Sequence, residues 1–484
     1  MSSQKLLVAN RSEIACRVFQ CCREMEIETV SLVVKGDEQA RHVSFADEVI
    51  EVSSYLEADE IIEKAKKLGV TLIHPGYGFL SERPHFAKAV ERAGMIFVGP
   101  RAETMELMGG KITAKDLAEK IGVPTLPWAR VDDIKEIEGI ARKIGFPLLI
   151  KAAAGGGGKG MRKVLSLGEV HEAAQRASSE AKSSFGDGAL FLERFLERPR
   201  HIEVQVFGDG KGGGVHLFER ECSLQRRHQK VWEEAPAPNL SENTRQGLWK
   251  AALSLVKETK YRSAGTVEFL VDGEEFFFLE MNTRLQVEHP VTEEVTGVDL
   301  VRWQILQAVD SKFKFEQPDV INAHSIEVRI YAEDPFQSFM PTPGRVDALK
   351  WPTGTGIRVE SGIEKNQTVG TGFDPMLAKL IVKAPTREIA LKRMQFAIEE
   401  TFIGGMNTNL FYLHQISKDQ QVIKGDVYTN YLENEFKNKS FAPTEEEADL
   451  IAAILRKGIG KKLMDSPSEG DPLLSPWFEV EAGT

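Results

Sequence analysis

One stretch decides how the rest of this chain is interpreted: Phe277-Phe278-Leu279-Glu280-Met281-Asn282-Thr283-Arg284-Leu285-Gln286-Val287-Glu288-His289-Pro290. It begins with apolar residues and then carries polar side chains at alternate positions, namely Glu280, Asn282, Arg284, Gln286 and Glu288. Successive side chains of an extended strand point to opposite faces, so the spacing predicts that all of them share one face. Burial of that face needs charged partners. The alternative is a solvated face of an amphipathic edge strand.

The composition is that of a soluble globular protein with more than one domain. The chain has 484 residues, of which 42% are hydrophobic and 27% charged, and this length predicts two to four domains. The formal net charge of −11 argues against general nucleic-acid binding, which needs a basic surface. A local basic site for an anionic ligand remains compatible with that charge.

The cysteines and the first residues predict a location in a reducing compartment. Cys16, Cys21, Cys22 and Cys222 show no CxxC spacing, so we expect buried free thiols. The polar residues from Asn10 onward do not resemble a signal peptide, and no apolar run approaches the roughly 18 residues of a membrane span. We therefore expect a cytoplasmic protein, in the bacterial cytosol or an equivalent reducing compartment, without membrane or nucleic-acid partners.

Strands and helices alternate in the amino-terminal part. The apolar spacing predicts strands at 5–9, 29–34, 49–52, 71–73 and 95–98 and helices at 12–25, 58–68 and 83–93. Such alternation predicts a parallel, doubly wound sheet with ligands beyond the carboxyl ends of the strands. The loop 74–79 follows one strand and holds Pro75, Gly76 and Gly78 around Tyr77, a rigid turn that either presents Tyr77 to a ligand or is purely structural.

A glycine-rich loop lies between two further strands. An apolar run ends at Lys151, and Gly155, Gly156, Gly157 and Gly158 follow before Lys159. Each glycine adds backbone entropy that folding must remove, so packing does not explain four in a row. A mobile loop that lays its N–H groups against phosphate oxygens would explain the four glycines. A flexible linker is the alternative. Without Ser or Thr after the lysine, it is not a Walker loop. Lys111 is a second candidate phosphate ligand.

Several long motifs together resemble biotin carboxylase, an ATP-grasp enzyme. They are Lys151 with 155–161, 199–205, 221–230, 264–269 and the stretch from Phe277 to Pro290. The resemblance extends from about residue 5 to residue 440, in the order that the family has. The variants at 183–187 and 281–286 are most similar to the biotin carboxylase parts of acyl-CoA carboxylases of the propionyl- and methylcrotonyl-CoA type.

The resemblance implies a multidomain α/β and α+β fold. A doubly wound amino-terminal domain at 1–112 is followed by an ATP-grasp fold at 113–325 with a mobile lid at about 130–203. A carboxyl-terminal α+β domain at 326–445 follows. The composition after that predicts a helix and a linker-like tail at 446–484.

The resemblance also implies a site for ATP and a divalent metal. Glu268 and Glu280 end two strands that the turn at 272–273 joins, so their carboxylates lie side by side and repel unless a cation bridges them. The family places Mg²⁺ or Mn²⁺ there, with Asn282 beside it; a salt-bridged structural pair is the alternative. The family's nucleotide contacts fall on Lys111, Lys151, Gly157, Gly158, Met161, Glu193, Arg194, Leu196, His201, Gln225, His228 and Leu270.

Bicarbonate and biotin account for the remaining candidates. Arg284 can clamp the oxygens of bicarbonate in bidentate fashion and Lys230 adds a point charge, with Gln286 and the Val287 backbone beside them. Glu288 is the candidate base that prepares bicarbonate for attack on the γ-phosphate. The resemblance assigns Arg329 and Tyr77 to biotin, with Arg329 as the fixed cation; a surface ion pair with Glu327 or Glu333 is the alternative.

Partners follow from the resemblance and from one missing motif. No Ala-Met-Lys-Met biotin-attachment sequence occurs, so we expect biotin on a carrier protein or domain elsewhere, a separate carboxyltransferase subunit and a homodimer. Two other readings are another ATP-grasp carboxylase or ligase, such as a urea or pyruvate enzyme, and a nucleotide-binding regulatory subunit. The regulatory reading predicts loss of catalytic side chains, and all of those named above are present.

Three positions depart from the family pattern. Ser12 and Gly110 replace a glycine and an aspartate that the family usually has there. Trp232 stands where a small aliphatic residue is common, two residues from Lys230. If the segment is extended, Trp232 shares the face of Lys230 and is expected to reshape the biotin or bicarbonate site.

Overall fold

The computed structural model describes residues 4–152, 161–186, 188–227, 229–310, 312–319 and 321–436. The predictions for Gly157, Gly158, His228 and the tail at 446–484 lie outside these ranges. Within the described part of the chain, every helix is too short or too polar to cross a bilayer.

The amino-terminal part is a parallel sheet covered by helices. Its elements are β1 Lys5–Val8, α1 Ser12–Glu24, β2 Glu28–Val33, α2 Arg41–Phe45, β3 Glu48–Glu51, α3 Ala58–Lys67, β4 Leu72–His74, α4 Pro84–Arg92 and β5 Ile96–Phe97. The strand order is β3-β2-β1-β4-β5, with every neighbouring pair parallel. Leu7 belongs to one apolar cluster, and Leu6 and Val8 belong to another, so the sheet is buried on both faces. The predicted doubly wound sheet is confirmed.

Two loops at the carboxyl ends of β1 and β4 are tied together. Asn10 Nδ2 donates to the carbonyls of Pro75 at 2.9 Å and Tyr77 at 2.7 Å. Gly76 has φ +61°, and a Cβ there would lie 2.7 Å from Asn10 Nδ2, so this contact requires glycine. The ring of Tyr77 packs against the apolar cluster around β1, and its buried hydroxyl has no hydrogen-bond partner among the described residues. Tyr77 also lines the second cavity described below, so its contact with a ligand stays a prediction.

A small antiparallel sheet, called the lid sheet below, lies in the segment for which the lid is predicted. The chain passes through α5 Ala102–Gly109, α6 Lys111–Lys120, β6 Trp128–Val131, α7 Ile137–Ile144, β7 Leu148–Ala152, β8 Met161–Val164, α8 Val170–Phe185 and β9 Leu190–Arg194. The strand order is β6-β9-β7-β8. Strands β7 and β8 pair antiparallel, with Lys151 opposite Met161. The prediction that the chain returns to a strand after the glycine-rich loop is confirmed.

A long antiparallel sheet joins the middle of the chain to its carboxyl-terminal part. The first half comprises β10 Arg200–Asp209, β11 Gly214–Arg226, β12 Gln229–Ala235, α9 Glu242–Thr259, β13 Arg262–Asp272, β14 Glu275–Asn282, α10 His289–Thr296 and α11 Leu300–Val309. The second half comprises β15 His324–Tyr331, β16 Glu333–Asp334, β17 Met340–Pro341, β18 Gly344–Arg345, β19 Ala348–Lys350, β20 Ile357–Ser361, β21 Thr368–Val369, β22 Met376–Ala384, α12 Arg387–Glu400, β23 Phe402–Gly404, α13 Leu410–Lys418 and α14 Gln420–Lys424.

The order in this sheet is β14-β13-β10-β11-β12-β15-β22-β20. Because β12 pairs with β15, the sheet runs without a break across the predicted boundary at 325–326, which falls inside β15. The boundary at 112–113 likewise falls inside α6. The spacing of apolar residues predicts where strands and helices lie but not which strands pair. It therefore could not show that the two predicted boundaries fall within a helix and within a strand of a continuous sheet.

The extended strand predicted through Glu288 is shorter than expected. Strand β14 ends at Asn282, and α10 begins at His289. The N–H of Thr283 donates to Glu82 Oε1 at 2.9 Å, a side-chain partner instead of a neighbouring strand. Met281, Thr283 and Val287 also line the adjacent cavity, so strict alternation does not hold beyond the strand and the prediction is wrong there. The irregular segment 283–288 brings its polar groups to the cavity by turning.

Trp232 belongs to the core of the carboxyl-terminal part. It is 1% exposed and packs in the apolar cluster that includes Leu224 and Val328, its partners in register on β11 and β15. It lines neither of the two cavities described below. The expectation that its bulk reshapes a ligand site is therefore wrong, because the strand register turns the side chain into the core.

All four cysteines are free and buried. Burial raises the pKa of Cys16 and Cys21 to about 12, and it also raises the pKa of Cys22 and Cys222. The thiolate is the reactive form, so these side chains are protonated and inert at neutral pH.

We therefore expect the native protein to react negligibly with an aromatic disulfide reagent at pH 8, and to expose four thiols after unfolding in denaturant. The measurement is the absorbance of the released thiolate over time. A Lys67→Cys variant, at a position whose side chain is 72% exposed, serves as the control and should add one rapidly reacting thiol. A rapid native reaction of the unaltered protein would contradict the burial described here.

Candidate active site

A cavity of about 1160 Å³ lies between the lid sheet and the long sheet. Its lining is drawn from α6, from lid strands β7, β8 and β9, and from long-sheet strands β10, β11, β13 and β14. The structure brings together there nearly all the described candidates, namely Lys111, Lys151, Met161, Glu193, Arg194, Leu196, His201, Gln225, Lys230, Glu268, Leu270, Glu280, Asn282, Arg284, Gln286, Val287 and Arg329. Glu288 and Tyr77 are not part of this lining.

Two carboxylates face each other across the β13–β14 hairpin. Glu268 and Glu280 are directly opposite in the antiparallel register, and Asn282 Nδ2 donates to Glu268 Oε1 at 2.9 Å. Burial, and next the charge of Glu268, raise the pKa of Glu280. Within the described residues, Glu280 has neither an ion pair nor a side-chain hydrogen bond. Two carboxylates and an amide oxygen are hard ligands of the kind that Mg²⁺ prefers, so the donor set fits a divalent cation.

The ammonium group of Lys230 is shared by three buried carboxylates. Its Nζ lies 2.6 Å from Glu203, 3.0 Å from Glu268 and 2.6 Å from Glu288. Burial alone would lower the pKa of Lys230, but Glu203, Glu268 and Glu288 outweigh it and hold that pKa well above its ordinary value. Lys230 therefore links the candidate metal-binding pair to the candidate base.

Glu288 is fully buried between two cations. Its Oε1 lies 2.6 Å from Lys230, and its Oε2 accepts a 3.0 Å bond from Arg329 Nη2. Burial alone would raise the pKa of Glu288, but Lys230 and Arg329 outweigh it and hold that pKa well below its ordinary value. The carboxylate is therefore ionised. Glu288 does not line the cavity itself, but it contacts Lys230 and Arg329, which do.

Arg329 is a buried residue of the site and not part of a surface ion pair. It is 8% exposed and contacts Glu233 and Glu288, so the alternative pairing with Glu327 or Glu333 does not occur. Burial would lower the pKa of Arg329, yet Glu233 leads the groups that hold it well above the ordinary value. Arg329 keeps its charge at every relevant pH.

Arg284 is oriented by a residue that the sequence did not reveal. Its Nε donates to Glu82 Oε2 at 2.9 Å, Nη1 donates to Gln286 Oε1 at 2.7 Å and Nη2 donates to Asn282 Oδ1 at 3.2 Å. Glu82 also accepts from the backbone of Thr283. Glu82 follows the loop of Tyr77 and has no local pattern that marks it.

A histidine lies beside the metal-binding pair. His201 Nε2 is 3.1 Å from Glu268 Oε2, and the Gln225 amide lies 3.2 Å from its Nδ1. Burial would lower the pKa of His201, but Glu268 outweighs it and the pKa is raised. The two predicted nucleotide contacts, His201 and Gln225, are thus neighbours.

The nucleotide end of the cavity holds a second charged group. Glu193 is buried and forms short ion pairs with both Lys115 and Lys151. Burial leads the causes that lower the pKa of Lys115, with Glu193 opposing it. The sequence analysis missed Lys115, since a lysine on a helix is ordinarily solvated. Glu193 was predicted as a nucleotide contact, and the structure adds that its side chain forms ion pairs with two lysines.

Two further buried residues support the site without having been predicted. Glu203 is fully buried, and Arg220 bonds to it as well as to Gln205 and Thr292. Glu203 and Gln205 alternate with apolar residues in β10, the same signal that singled out the stretch from Phe277, so this pair was detectable. Arg220 carried no comparable signal.

A second cavity of about 580 Å³ adjoins the first. Both cavities share Gly78, Phe79, Arg284, Val287 and Arg329, and the second is also lined by Asn10, Arg11, Ser12, Tyr77, Phe373 and Asp374. Arg329 thus faces two connected spaces, one lined by the nucleotide candidates and one leading toward the amino-terminal domain.

Family models match most of the chain. The model of the biotin carboxylase N-terminal domain matches residues 2–105, that of the carbamoyl-phosphate synthase L chain ATP-binding domain matches 110–315, and that of the biotin carboxylase C-terminal domain matches 327–434.

Curated relatives agree with these models. The chain is 46% identical to biotin carboxylase of Halalkalibacterium halodurans, over 90% of this chain and 99% of that protein. It is 43% identical to the mitochondrial methylcrotonoyl-CoA carboxylase subunit alpha of Dictyostelium discoideum, over 98% of this chain and 70% of that protein. The chain is also 43% identical to the 2-oxoglutarate carboxylase small subunit of Hydrogenobacter thermophilus, over 93% of this chain and 98% of that protein.

Solved structures are similar throughout their length. One is the biotin carboxylase domain dimer of H. thermophilus 2-oxoglutarate carboxylase in complex with MgADP, ADP and bicarbonate, with a TM-score of 0.87, 43% identity and coverage of 91% of this chain and 99% of that one. Another is the biotin carboxylase–β-γ-ATP complex from Campylobacter jejuni, with a TM-score of 0.86, 39% identity and coverage of 89% of this chain and 99% of that one.

The carboxylate pair gives a direct test of cation binding. We expect Glu280→Gln to weaken Mn²⁺ binding by about tenfold or more, because one of two anionic ligands is lost. Titration calorimetry in the presence of a non-hydrolysable nucleotide measures it. The matched control is Glu275→Gln, an exposed carboxylate on the same strand, which should leave the affinity unchanged. Equal affinities in the two variants would remove Glu280 from the metal site.

Proposed function

The chain belongs to the biotin carboxylase family and catalyses ATP-dependent carboxylation of biotin, and we propose that its buried charges divide this reaction among three adjoining groups of residues. The nucleotide group is built on Glu193, Lys151 and Lys111, and the metal group on Glu268, Glu280 and Asn282. The third group, Lys230, Arg284, Glu288 and Arg329, handles bicarbonate and biotin. One observation carries the proposal: Lys230 contacts Glu268 of the metal group and Glu288, the candidate base, at once.

The nucleotide group recognises ATP through groups that are already oriented. Lys151 is held by Glu193, and Lys111 lines the cavity near Glu280, so both lysines approach the same bound molecule. Mg²⁺ between Glu268 and Glu280 would supply positive charge to the phosphate oxygens. Met161 and Leu270, which also line the cavity, offer apolar surface for the base.

Bicarbonate is the nucleophile, and Glu288 accepts its proton. Arg284 and Lys230 hold the anion, with Gln286 and the Val287 backbone beside them. In the ligand-free protein the pKa of Glu288 is too low for an efficient base, because Lys230 and Arg329 both stabilise its charge. When bicarbonate and phosphate draw on Lys230, this stabilisation decreases and the pKa of Glu288 rises. The proton then moves to Glu288 as a bicarbonate oxygen attacks the γ-phosphorus and ADP leaves.

Carboxyphosphate formed in this way releases carbon dioxide beside the second cavity. The phosphate that remains takes the proton from the ureido nitrogen of biotin, and this nitrogen attacks carbon dioxide. Arg329, which faces both cavities, stabilises the negative charge that develops on the ureido oxygen. Closure of the lid over the cavity would exclude water, which otherwise hydrolyses carboxyphosphate.

The reaction is the first half of a biotin-dependent carboxylase cycle, and we propose the partners for its second half. A biotin carrier protein brings the cofactor, and a separate carboxyltransferase subunit passes the carboxyl group to an acyl-CoA. The similarity to an alpha subunit of a methylcrotonoyl-CoA carboxylase over 98% of this chain supports an acyl-CoA acceptor. The dimer of the H. thermophilus relative supports a homodimer. We also propose the cytosol or an equivalent reducing compartment and domains at 1–112, 113–325 and 326–445.

The primary test is ATP hydrolysis that depends on bicarbonate. We expect ADP release to require bicarbonate and to increase with free biotin, because bicarbonate is the group that attacks the γ-phosphate. A coupled assay of ADP, with bicarbonate removed from all buffers in one arm, measures this. ATP hydrolysis that is indifferent to bicarbonate would refute the proposed function.

Replacement of the base should strongly reduce the bicarbonate-dependent activity. We expect Glu288→Gln to lower kcat/KM for bicarbonate by roughly 100-fold or more, since the amide cannot accept the proton. ATP-analogue binding should be retained. The matched control is Glu294→Gln, a half-buried carboxylate of α10 outside both cavities, which should behave like the unaltered protein. Comparable activity in the two variants would rule out Glu288 as the base.

Arg329 should separate the two chemical steps. We expect Arg329→Met to reduce biotin carboxylation by roughly 100-fold, because the developing charge loses its fixed cation. Bicarbonate-dependent ADP release should fall by no more than about tenfold, since Glu288 keeps Lys230. Labelled bicarbonate incorporated into biotin and ADP formation are measured in parallel. Arg345→Met, at an exposed arginine, is the control; an equal loss in both steps would assign Arg329 to the base alone.

A further inference from the structure

A buried lysine that the proposed chemistry does not use lies directly beneath the bicarbonate segment. Lys379, in the middle of β22, is fully buried and lines neither cavity. Its Nζ donates to the backbone carbonyl of Val287 at 2.8 Å and lies 2.6 Å from Glu360 and 3.8 Å from Glu13. An ammonium group is buried only where partners compensate its charge, so these contacts hold it in one position.

The register of the long sheet aligns this lysine with the catalytic charges. In antiparallel pairing, Arg329 of β15 is opposite Lys379, and Lys379 is opposite Glu360 of β20. Directly opposite residues project from the same face, so the three side chains form one row across three strands. Arg329 reaches the carboxylate of Glu288 while Lys379 reaches the carbonyl that precedes it in the chain. Two neighbouring cations thus hold the side chain of Glu288 and the carbonyl of the peptide group that precedes it.

The backbone of the segment is held at two successive carbonyls. The Gln286 carbonyl accepts from His289 N at 3.3 Å and from His289 Nδ1 at 2.8 Å. The Val287 carbonyl accepts from Lys379. In a planar trans peptide the N–H points opposite to the C=O, so the Glu288 N–H points away from Lys379. The orientation of this peptide group decides where the Glu288 side chain starts and how the Val287 backbone meets the cavity that it lines.

Lys379 is charged in this setting. Burial alone would lower its pKa, but Glu360 foremost, with Glu327 and Glu13, outweighs burial and raises it. Glu360 is itself held by Arg358 and Arg17. A charged donor on a neutral carbonyl makes a stronger hydrogen bond than a neutral donor does. The anchor of the Val287 carbonyl is therefore both strong and rigidly placed.

We propose that Lys379 is a positioning residue for bicarbonate activation, which holds the Val287–Glu288 peptide group so that the base and the backbone of Val287 meet bicarbonate in the reactive geometry. It touches neither substrate nor nucleotide. The inference rests on the proposed function of the Glu288 segment. It extends that function to a residue that acts through its hydrogen bond to the Val287 carbonyl. Loss of Lys379 should therefore affect bicarbonate and leave ATP recognition intact.

The variant Lys379→Met keeps the length of the side chain and removes its charge. We expect KM for bicarbonate to rise, or kcat/KM for bicarbonate to fall, by at least about tenfold, since small displacements of reacting groups have large kinetic effects. KM for ATP and the thermal protection by a non-hydrolysable ATP analogue should remain unchanged. Lys383→Met, four residues along the same strand and partly exposed, is the matched control.

A second variant keeps the test informative if Lys379→Met alone fails to fold. Lys379→Met/Glu360→Gln removes both charges of the pair, so the carboxylate of Glu360 is no longer left facing an apolar side chain. It should show the same selective loss toward bicarbonate and the same nucleotide protection. If neither variant folds, or if both lose ATP and bicarbonate affinity alike, Lys379 is a structural residue and the proposal is overturned.

The outcomes for the inference and for the proposed function are distinct. If the unaltered protein hydrolyses ATP without any need for bicarbonate, the proposed function fails. If the unaltered protein requires bicarbonate and Lys379→Met has the same kcat/KM for bicarbonate, the function stands and the positioning role is wrong. A loss of kcat/KM for bicarbonate in Lys379→Met, with KM for ATP unchanged, supports both the proposed function and the positioning role.

Discussion

The arrangement of this protein depends on one buried ammonium group shared by three carboxylates. Lys230 contacts Glu203, Glu268 and Glu288 within 3.0 Å, and none of these carboxylates is more than 5% exposed. Three carboxylates this close would repel one another strongly in a protein interior, so each depends on the same cation. The three lie on different elements, β10, β13 and the turn before α10, which Lys230 of β12 therefore joins.

Two further cations, Arg220 and Arg329, contact the carboxylates that surround Lys230. Arg220 bonds to Glu203, and Arg329 bonds to Glu288 and Glu233, so each carboxylate near Lys230 except Glu268 has a second fixed cation. Glu268 instead has the amides of Asn282 and Gln286 and the ring of His201. It also faces Glu280, the one member of the group without a cation in contact among the described residues. The charge balance is thus incomplete only where a divalent metal fits.

Buried ion pairs of this kind contribute little to stability compared with well-packed apolar side chains, while removal of one partner commonly costs about 3–5 kcal/mol. The arrangement is therefore best understood as a ligand site built in advance. Anionic substrates that enter the cavity meet cations whose positions the carboxylates already determine, so less reorganisation is needed during the reaction. The same reasoning extends to Lys379, whose partners lie on β20 and at the start of α1 and which holds the backbone of the reactive segment.

The sequence by itself determined the amino-terminal fold and the chemical inventory of the site. Apolar spacing in the first hundred residues indicated each strand of the parallel sheet, and the central strands β1, β2 and β4 are buried on both faces, which leaves a strong local signal. The hairpin of Glu268 and Glu280 was only partly local, because the sequence indicated that the two strands pair, while a register shift between Glu268 and Phe269 brings Glu280 opposite Glu268. Alternating polar side chains marked Glu280, Asn282, Arg284, Gln286 and Glu288, whereas the family resemblance supplied the roles of Lys230 and Arg329 and most of the nucleotide contacts.

Only the tertiary structure decided where the strand ends and which charges meet. Strand β14 stops at Asn282 because Glu82, two hundred residues earlier in the chain, takes the N–H of Thr283. The position of Trp232 in the core, the pairing of Lys115 with Glu193 and the contact of Lys379 with Val287 likewise join residues far apart in sequence or depend on strand register. Such contacts leave no local spacing, because their energy comes from partners that folding alone brings within reach.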